Sequence, residues 1–446
     1  MGSFVPHTDA DIAAMLEFLG LDDLDELYAV VPSAIRLAGL DLPEGVSEAD
    51  LVAELGVVGG RNAAGVGAVC FAGGGAYDHE VPAVVRALAG RSEFVTAYTP
   101  YQPEVAQGVL QALFEYQTMV ARLTGLPIAN ASLYDGSAAL VEATNLAVAA
   151  TGSPRVYCSQ GVNPRWVAVL RTFAHGSGHA VETVALSGGM TAWDAVPAER
   201  AGAVVVAYPN YLGILEDLGA ARAAADRVGA HLVVCQDPIA AGLLRSPGES
   251  GADVVVGEGQ ALGSPLGFGG PYLGLFACRA EHVRRLPGRL VGETVDVEGR
   301  RAYVTTLRAR EQDIRREKAS SNVCTNQTLV AVTAAIQLGW LGTAGLREVA
   351  RRCAAGTRYC RERLCAIGGV EPVADAPVLR EFAVRAPLAP ELVVERLLDE
   401  GFLAGIPLRE GFEGTSAEGG LLVAVTERRT RAEIDGFATA FAGVLR

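Results

Sequence analysis

A chain of 446 residues is too long for a single hydrophobic core, and two or three domains are expected. The net charge is −14, from 37 basic against 51 acidic residues, with no basic run longer than a pair such as Arg315-Arg316. Nucleic acid and anionic membrane are therefore poor partners.

No stretch of 18 apolar residues is evident, and residues 1–20 carry acids rather than a basic region followed by an apolar one. Neither a transmembrane helix nor a secretory signal is expected. Eight cysteines without a CxxC pair predict reduced, mostly buried thiols and a cytoplasmic protein. Half the residues are hydrophobic and few are aromatic, a mixture that suits a helix-covered parallel sheet.

In chain order, Thr8 with Asp11 predicts a capping box, followed by Ile12, Met15, Leu16 and Leu19 on one helical face. Short acidic helices broken by Pro32 and Pro43 continue to residue 55, and a glycine-rich loop ends at Gly73-Gly74-Gly75. Tyr77-Asp78-His79 follows as a polar cluster in which a lone histidine is most simply a hydrogen-bonded structural residue. The stretch Tyr98-Thr99-Pro100-Tyr101-Gln102-Pro103-Glu104 predicts a stiff extended loop. It suits recognition of a ligand or partner, and ordinary tyrosine packing explains it as well.

Val105, Val109, Leu113, Tyr116, Val120 and Leu123 predict one face of a helix over 104–124, and a second helix runs over 136–150. Where the loop enters that second helix, Asp135, Gly136 and Ser137 form either an anion cup or simply a helix cap. Valine-rich runs at 203–207, 231–235 and 253–256, separated by a helix over 217–228, predict βαβ units in a buried parallel sheet. Asp237 ends one of these strands, where ligands sit in open α/β sheets, although an Asp before Pro238 also starts a turn. Glu258-Gly259-Gln260-Ala261 follows the last run.

After Pro287 the chain turns polar and Arg-rich to Lys318, the one lysine present. Helices over 326–340 and 345–365, strands over 379–384 and 421–425, a helix over 390–400 and a closing helix capped by Thr430 with Glu433 make a smaller α+β region. Cys353, Cys360 and Cys365 fall near helical spacing, and His175/His179 is the only close histidine pair, so no metal site is expected.

Several strings resemble one family. They include Ala76-Tyr77-Asp78-His79, Arg91-Ser92-Glu93-Phe94, Tyr98 to Glu104, Phe114-Glu115-Tyr116-Gln117-Thr118 and Asn130-Ala131-Ser132. Further along come Gly257-Glu258-Gly259-Gln260, Phe268-Gly269-Gly270-Pro271, Arg315-Arg316-Glu317-Lys318-Ala319, Asn322-Val323-Cys324-Thr325-Asn326-Gln327 and Val425-Thr426-Glu427. Over nearly the whole chain they are similar to subunit 1, the alpha subunit, of two-subunit glycine dehydrogenase (decarboxylating), the P-protein of the glycine cleavage system.

The resemblance implies the α/β PLP-dependent transferase fold type I (aspartate aminotransferase-like): a large domain on a mostly parallel seven-stranded sheet plus a small C-terminal α+β domain. Expected bounds are 1–75 for a helical arm, 76–325 for the large domain and 326–446 for the small one. It also implies an α2β2 assembly in which a beta subunit holds pyridoxal phosphate on a lysine. Glycine is decarboxylated there, and the aminomethyl group passes to the lipoyl H-protein.

The beta cofactor loop has His-Lys where this chain has Gln260-Ala261, and arginine cannot replace a Schiff-base lysine, so only Lys318 is available. The resemblance makes Lys318 structural or interfacial. It makes Asp135, Gly136, Ser137, Gln160, Asp237 and Gln260 a vestigial cofactor cup. Tyr77, His79, Tyr98, Tyr101, Gln102, Glu104, Asn163 and Arg165 become substrate- or partner-facing. One stretch departs from the family's Val-His-Pro-Glu-Tyr, reading Val162-Asn163-Pro164-Arg165-Trp166. That leaves a second reading, a diverged stand-alone paralogue acting on an amino acid or related small molecule without lysine-bound cofactor in the usual place.

Overall fold

The computed structural model describes residues 6–37, 39–62, 67–95 and 99–446. The chain divides after Gly67. In the first unit, helix α1 (Asp9–Leu19) starts at the expected Thr8–Asp11 capping box and stops at Gly20, whose φ of 68° is the left-handed cap conformation. Two 3₁₀ turns, Leu24–Tyr28 and Ser33–Ile35, stand on either side of Pro32. Helix α2 (Glu48–Gly59) begins at Ser47, which accepts the Asp50 N–H. No described residue of this unit is buried.

The second unit, residues 68–446, is built on a seven-stranded sheet. Its strands are β1 (Ile128–Ala129), β2 (Arg155–Ser159), β3 (Ala180–Val184), β4 (Ala203–Tyr208), β5 (His231–Gln236), β6 (Val254–Glu258) and β7 (Gly274–Cys278). They lie in the order β1-β7-β6-β5-β4-β2-β3. Only β7 runs antiparallel to its neighbours. The valine runs are unbroken because both faces are covered. Val204, Val206, Val234 and Val255 face a core with Leu110, Leu113 and Tyr116 of helix α3 (Gln107–Thr124). Val205, Val233, Val254 and Val256 face the other side, with Leu140 and Ala143 of helix α4 (Gly136–Thr151).

Helix α3 is shorter than expected. Pro103 opens a separate 3₁₀ turn (Pro103–Val105), leaving Val105 exposed. Helix α5 (Pro164–Ser177) carries His175 and ends at Gly178, so His179 lies outside it. Helix α6 (Leu218–Arg227) is capped by Asp217. The Arg-rich stretch forms an antiparallel hairpin of β8 (Leu290–Val295) and β9 (Arg301–Thr306).

The two helices expected over 326–365 are present, joined across a kink at Gly342, whose φ of 58° is not helical; together they are α7 (Thr328–Cys365). By length and composition alone, α7 is long and apolar enough to cross a membrane. Its buried stripe instead packs on α3 and on the closing helix Arg431–Val444, the position of a core helix.

The C-terminal sheet joins β10 (Glu371–Pro372), β11 (Glu381–Arg385), β12 (Ile406–Pro407) and β13 (Leu421–Ala424) in the order β10-β11-β13-β12. Helices α8 (Pro390–Asp399) and α9 (Arg431–Val444) cover it. Its core takes Phe71 from upstream and Cys360 and Leu364 from the far end of α7, whose near end lies in the large core. All eight cysteines are free thiols.

Candidate functional site

The carboxyl ends of β4, β5 and β6 converge on the start of α4. There Tyr77, Asn163, Trp166, Tyr211, Asp237, Glu258, Arg380 and Glu381 line a cleft. Its mouth takes in Asp135, Ser137 and Arg165.

Tyr77 is fixed by its own peptide groups. Its N–H donates to Gln260 Oε1 (2.9 Å), and its carbonyl accepts from Gln260 Nε2 (3.0 Å). The same amide nitrogen donates to Ser264 O at 2.8 Å, which leaves Gln260 no free donor. The Tyr77 hydroxyl donates to Glu381 Oε2 at 2.8 Å, and the Arg380 guanidinium lies 3.4 Å from the ring centre. The glycine loop has to come this close, since a Cβ on Gly73 would sit 2.4 Å from Glu381 Oε1. Gly74, at φ 73°, donates its N–H to that same oxygen at 2.6 Å.

A chain of polar contacts runs behind the cleft. Arg380 meets Asp237 Oδ2 at 2.7 Å and His79 Nε2 at 2.6 Å, and His79 Nδ1 meets Glu427 Oε2 at 2.6 Å. Because the guanidinium only donates, the network assigns Nε2 as the acceptor and puts the His79 proton on Nδ1, donated to Glu427. Burial alone would lower Arg380, but Asp237 and the other acids around it leave it more firmly charged than usual. Burial, the largest single effect, likewise opposes ionisation of Glu427, yet its interactions with His79 and its backbone N–H donors together bring its pKa down to about 2.

His79, Cys353 and Glu427 bring ligand atoms within 4.8 Å of one another. Both ring nitrogens are already engaged, one of them by a cation, and burial pushes the Cys353 thiol pKa up. That chemistry does not suit a metal ion. Cys360 packs in the C-terminal core.

The cup at the start of α4 is filled from within. Glu258 Oε2 accepts the Gly136 N–H at 3.0 Å, and Oε1 accepts the Gln260 and Leu273 N–H groups at 2.9 and 3.0 Å. Asp135 caps the helix through the Ala138 N–H at 2.8 Å and also takes the Ser137 hydroxyl. Trp166 closes over Gly136, where a Cβ would lie 2.3 Å from the indole ring. Burial lifts Glu258 to about 7, against the pull of its three backbone donors. Burial lifts Glu381 to about 7 as well.

These residues do not fit pyridoxal phosphate. The helix start that would take a phosphate already holds carboxylates, no lysine is among the residues that line the cleft, and Lys318 is exposed in the 3₁₀ turn Arg316–Lys318.

Of the residues singled out in the sequence, Tyr77, Asp135, Ser137, Asn163, Arg165 and Asp237 border the cleft or its mouth. Gly136 and Gln260 sit directly behind. Gln160 does not join them: its amide bridges Gly411 O and the Leu186 N–H. His79 and Tyr77 are buried rather than partner-facing at the surface. Asn163 caps α5 and donates to Gly74 O at 3.0 Å. Tyr101, Gln102 and Glu104 lie on a separate exposed loop, with the Tyr101 ring beside Arg289 and Arg308. Tyr98 lies outside the described residues. Arg380 and Glu381 were missed, and the only signal was an adjacent Arg-Glu pair opening an apolar strand.

Residues 2–441 match the family model described as "Glycine cleavage system P-protein". A "Probable glycine dehydrogenase (decarboxylating) subunit 1" of Desulforamulus reducens is 46% identical over 97% of both chains. The protein of the same description from Moorella thermoacetica is 44% identical over 99% of this chain and 100% of its own. A crystal structure of a "glycine decarboxylase (P-protein) of the glycine cleavage system, in inhibitor-bound form" superposes with a TM-score of 0.93 at 46% identity over 100% of both chains. A NifS-like protein, at TM-score 0.62 and 12% identity over 85% of this chain and 99% of its own, shares the fold, as expected for fold type I. The chain belongs to the glycine cleavage system P-protein family, within which its relatives are of the subunit 1 kind.

Proposed function

We propose that this chain is the alpha subunit of a two-subunit glycine decarboxylase and does not itself hold the cofactor. A second subunit would carry pyridoxal phosphate on a lysine. The pair, assembled as α2β2 in the cytoplasm, would decarboxylate glycine and pass its aminomethyl group to the lipoyl H-protein.

The observation that carries this reading is Glu258. Its carboxylate sits on the backbone N–H groups that a phosphate would need, and Gln260 is locked where a lysine would be. What the chain retains is the fold itself. Its own residues do positioning work: Gln260 fixes Tyr77, and Asn163 and Glu381 fix the glycine loop at the mouth of the cleft.

The test is to purify the chain alone, add pyridoxal phosphate, record the visible spectrum, reduce with borohydride and map the peptides. The expected result is no cofactor band and no modified Lys318. Glycine-dependent CO2 release should appear only when the second-subunit chain is added. A band trapped on Lys318, or turnover by the isolated chain, would overturn the proposal in favour of a stand-alone enzyme.

A further inference from the structure

At the end of the sheet away from the cleft, a histidine is buried without a polar partner. His282 lies in the 3₁₀ turn Ala280–Arg285, which leads from β7 towards the hairpin strand β8, and it is 4% exposed. Neither ring nitrogen has a hydrogen-bond partner among the described residues. The adjacent acid, Glu281, keeps its carboxylate 3.7 Å from Nε2, beyond hydrogen-bond reach. What the imidazole does touch is the ring of His231, edge-on with 4.8 Å between centroids. Buried polar groups are nearly always bonded, so this ring is packed as an apolar one and has to stay neutral.

The groups around it favour that neutral form. His231 opens β5, with its Nδ1 3.6 Å from Asp253 Oδ2. Asp253 is already committed: it takes Arg222 of α6 at 2.7 Å, Arg279 at 3.0 Å and the Leu232 N–H at 2.8 Å. On the turn itself, Arg284 and Arg285 offset Glu281. Helix α4 packs on the turn and brings one titratable group, Glu142, which is bonded to Ser321. Arg310 donates to Leu286 O just past the turn, and the buried Cys278 thiol precedes it. Burial first, and then His231, hold the His282 pKa below its ordinary value, while Glu281 and Asp253 pull the other way more weakly.

The turn also anchors backbone that the cleft uses. Directly after it, Pro287 O accepts from Asn130 Nδ2 at 3.0 Å, and Arg289 O accepts the Ala131 N–H at 2.9 Å. Residues 130–134 lead straight into Asp135 and the start of α4.

We propose that His282 makes this turn an acid-released clip. The neutral ring holds Ala280–Arg285 against His231, and its protonation frees the turn and the 286–289 segment that supports the mouth of the cleft. Below about 6.5 an unfolded histidine takes up a proton that the packed one refuses. The stability this group contributes is therefore present above that value and is lost as pH falls.

The test follows hydrogen exchange by mass spectrometry in the full chain at about pH 7.5 and about pH 5.5, each rate being divided by that of the unfolded chain at the same pH. Amides of 279–289 should lose about fivefold or more of their protection at the lower pH, while those of β2 and β4 keep theirs. The full-length His282→Phe variant retains a buried ring and cannot take the proton, so its 279–289 protection should be the same at both. His231→Gln leaves His282 in place and removes the ionisable ring beside it, so the acid loss should shrink there too. It decides the question if the phenylalanine prevents folding. No loss in wild type, a loss shared equally by β2 and β4, or an undiminished loss in either variant overturns the clip.

Discussion

Glu258 places a carboxyl group at a helix start, which is where a phosphate would otherwise be held. Replacing it by alanine leaves three backbone N–H groups without an acceptor, and a loss of about 1–3 kcal/mol is expected. It also empties an anion site. In Glu258→Ala, 10 mM inorganic phosphate should raise the melting temperature, by about 1.4 kcal/mol of stabilisation if the site binds at about 1 mM. Wild type should not respond. Equal responses in the two proteins would show that the carboxylate does not fill the cup.

Glu381 makes a pH-dependent case at the same scale. Its pKa is raised from the ordinary 4.5 to about 7, with burial the largest cause. Between those values the folded state keeps a proton that the unfolded chain has released. Stability from this group is therefore present below about 4.5 and is lost as pH rises towards 7. The loss is at most about 1.4 kcal/mol per pH unit across that window. Glu381→Gln keeps the shape and removes the titration. Urea unfolding should show the variant gaining on wild type by roughly 1–3 kcal/mol between pH 5 and pH 8. A gap that is the same at both pH values would show that Glu381 does not change protonation across the window.

At the scale of elements, legibility followed periodicity. The valine runs gave β4, β5 and β6 to within a residue or two, because strands buried on both faces carry little besides β-branched residues. Helices with a clear cap or stop, α1, α4, α6 and α9, were equally readable. Strand β7, whose Gly-Leu-Phe-Ala-Cys has no alternation, was not recognised, and β2 and β3, short and flanking α5, were missed as well. The break in α7 was placed correctly near Gly342, where a kink separates the two helices that were inferred. Asp237 and Gln260 were found because they end strands. Arg380 was hidden because a charged residue beside β11 means something only once Asp237, 143 positions earlier, is known to face it.

For the body as a whole, the polar chain through Arg380 is a weld. Asp237 follows β5 of the large sheet, and Arg380 immediately precedes β11 of the C-terminal sheet. His79 and Glu427 extend the same contact to the glycine loop and the end of β13. Asp78 adds two arginines, Arg428 and Arg429, from the same turn, and the Thr426 hydroxyl donates to its carbonyl at 2.8 Å. Burial of the Arg380 charge is tolerated only because Asp237 faces it. Asp237→Ala leaves that charge uncompensated and should cost about 3–5 kcal/mol, read as a lower midpoint in urea. Because the break falls between two cores, unfolding should separate into two transitions, with the C-terminal sheet released first. The double replacement Asp237→Leu/Arg380→Met removes both charges at similar volume and should recover most of the loss, with a single transition restored. If Asp237→Ala and the double variant melt alike, the pair does not hold the two sheets together. The acid would then have been kept for the cleft rather than for the weld.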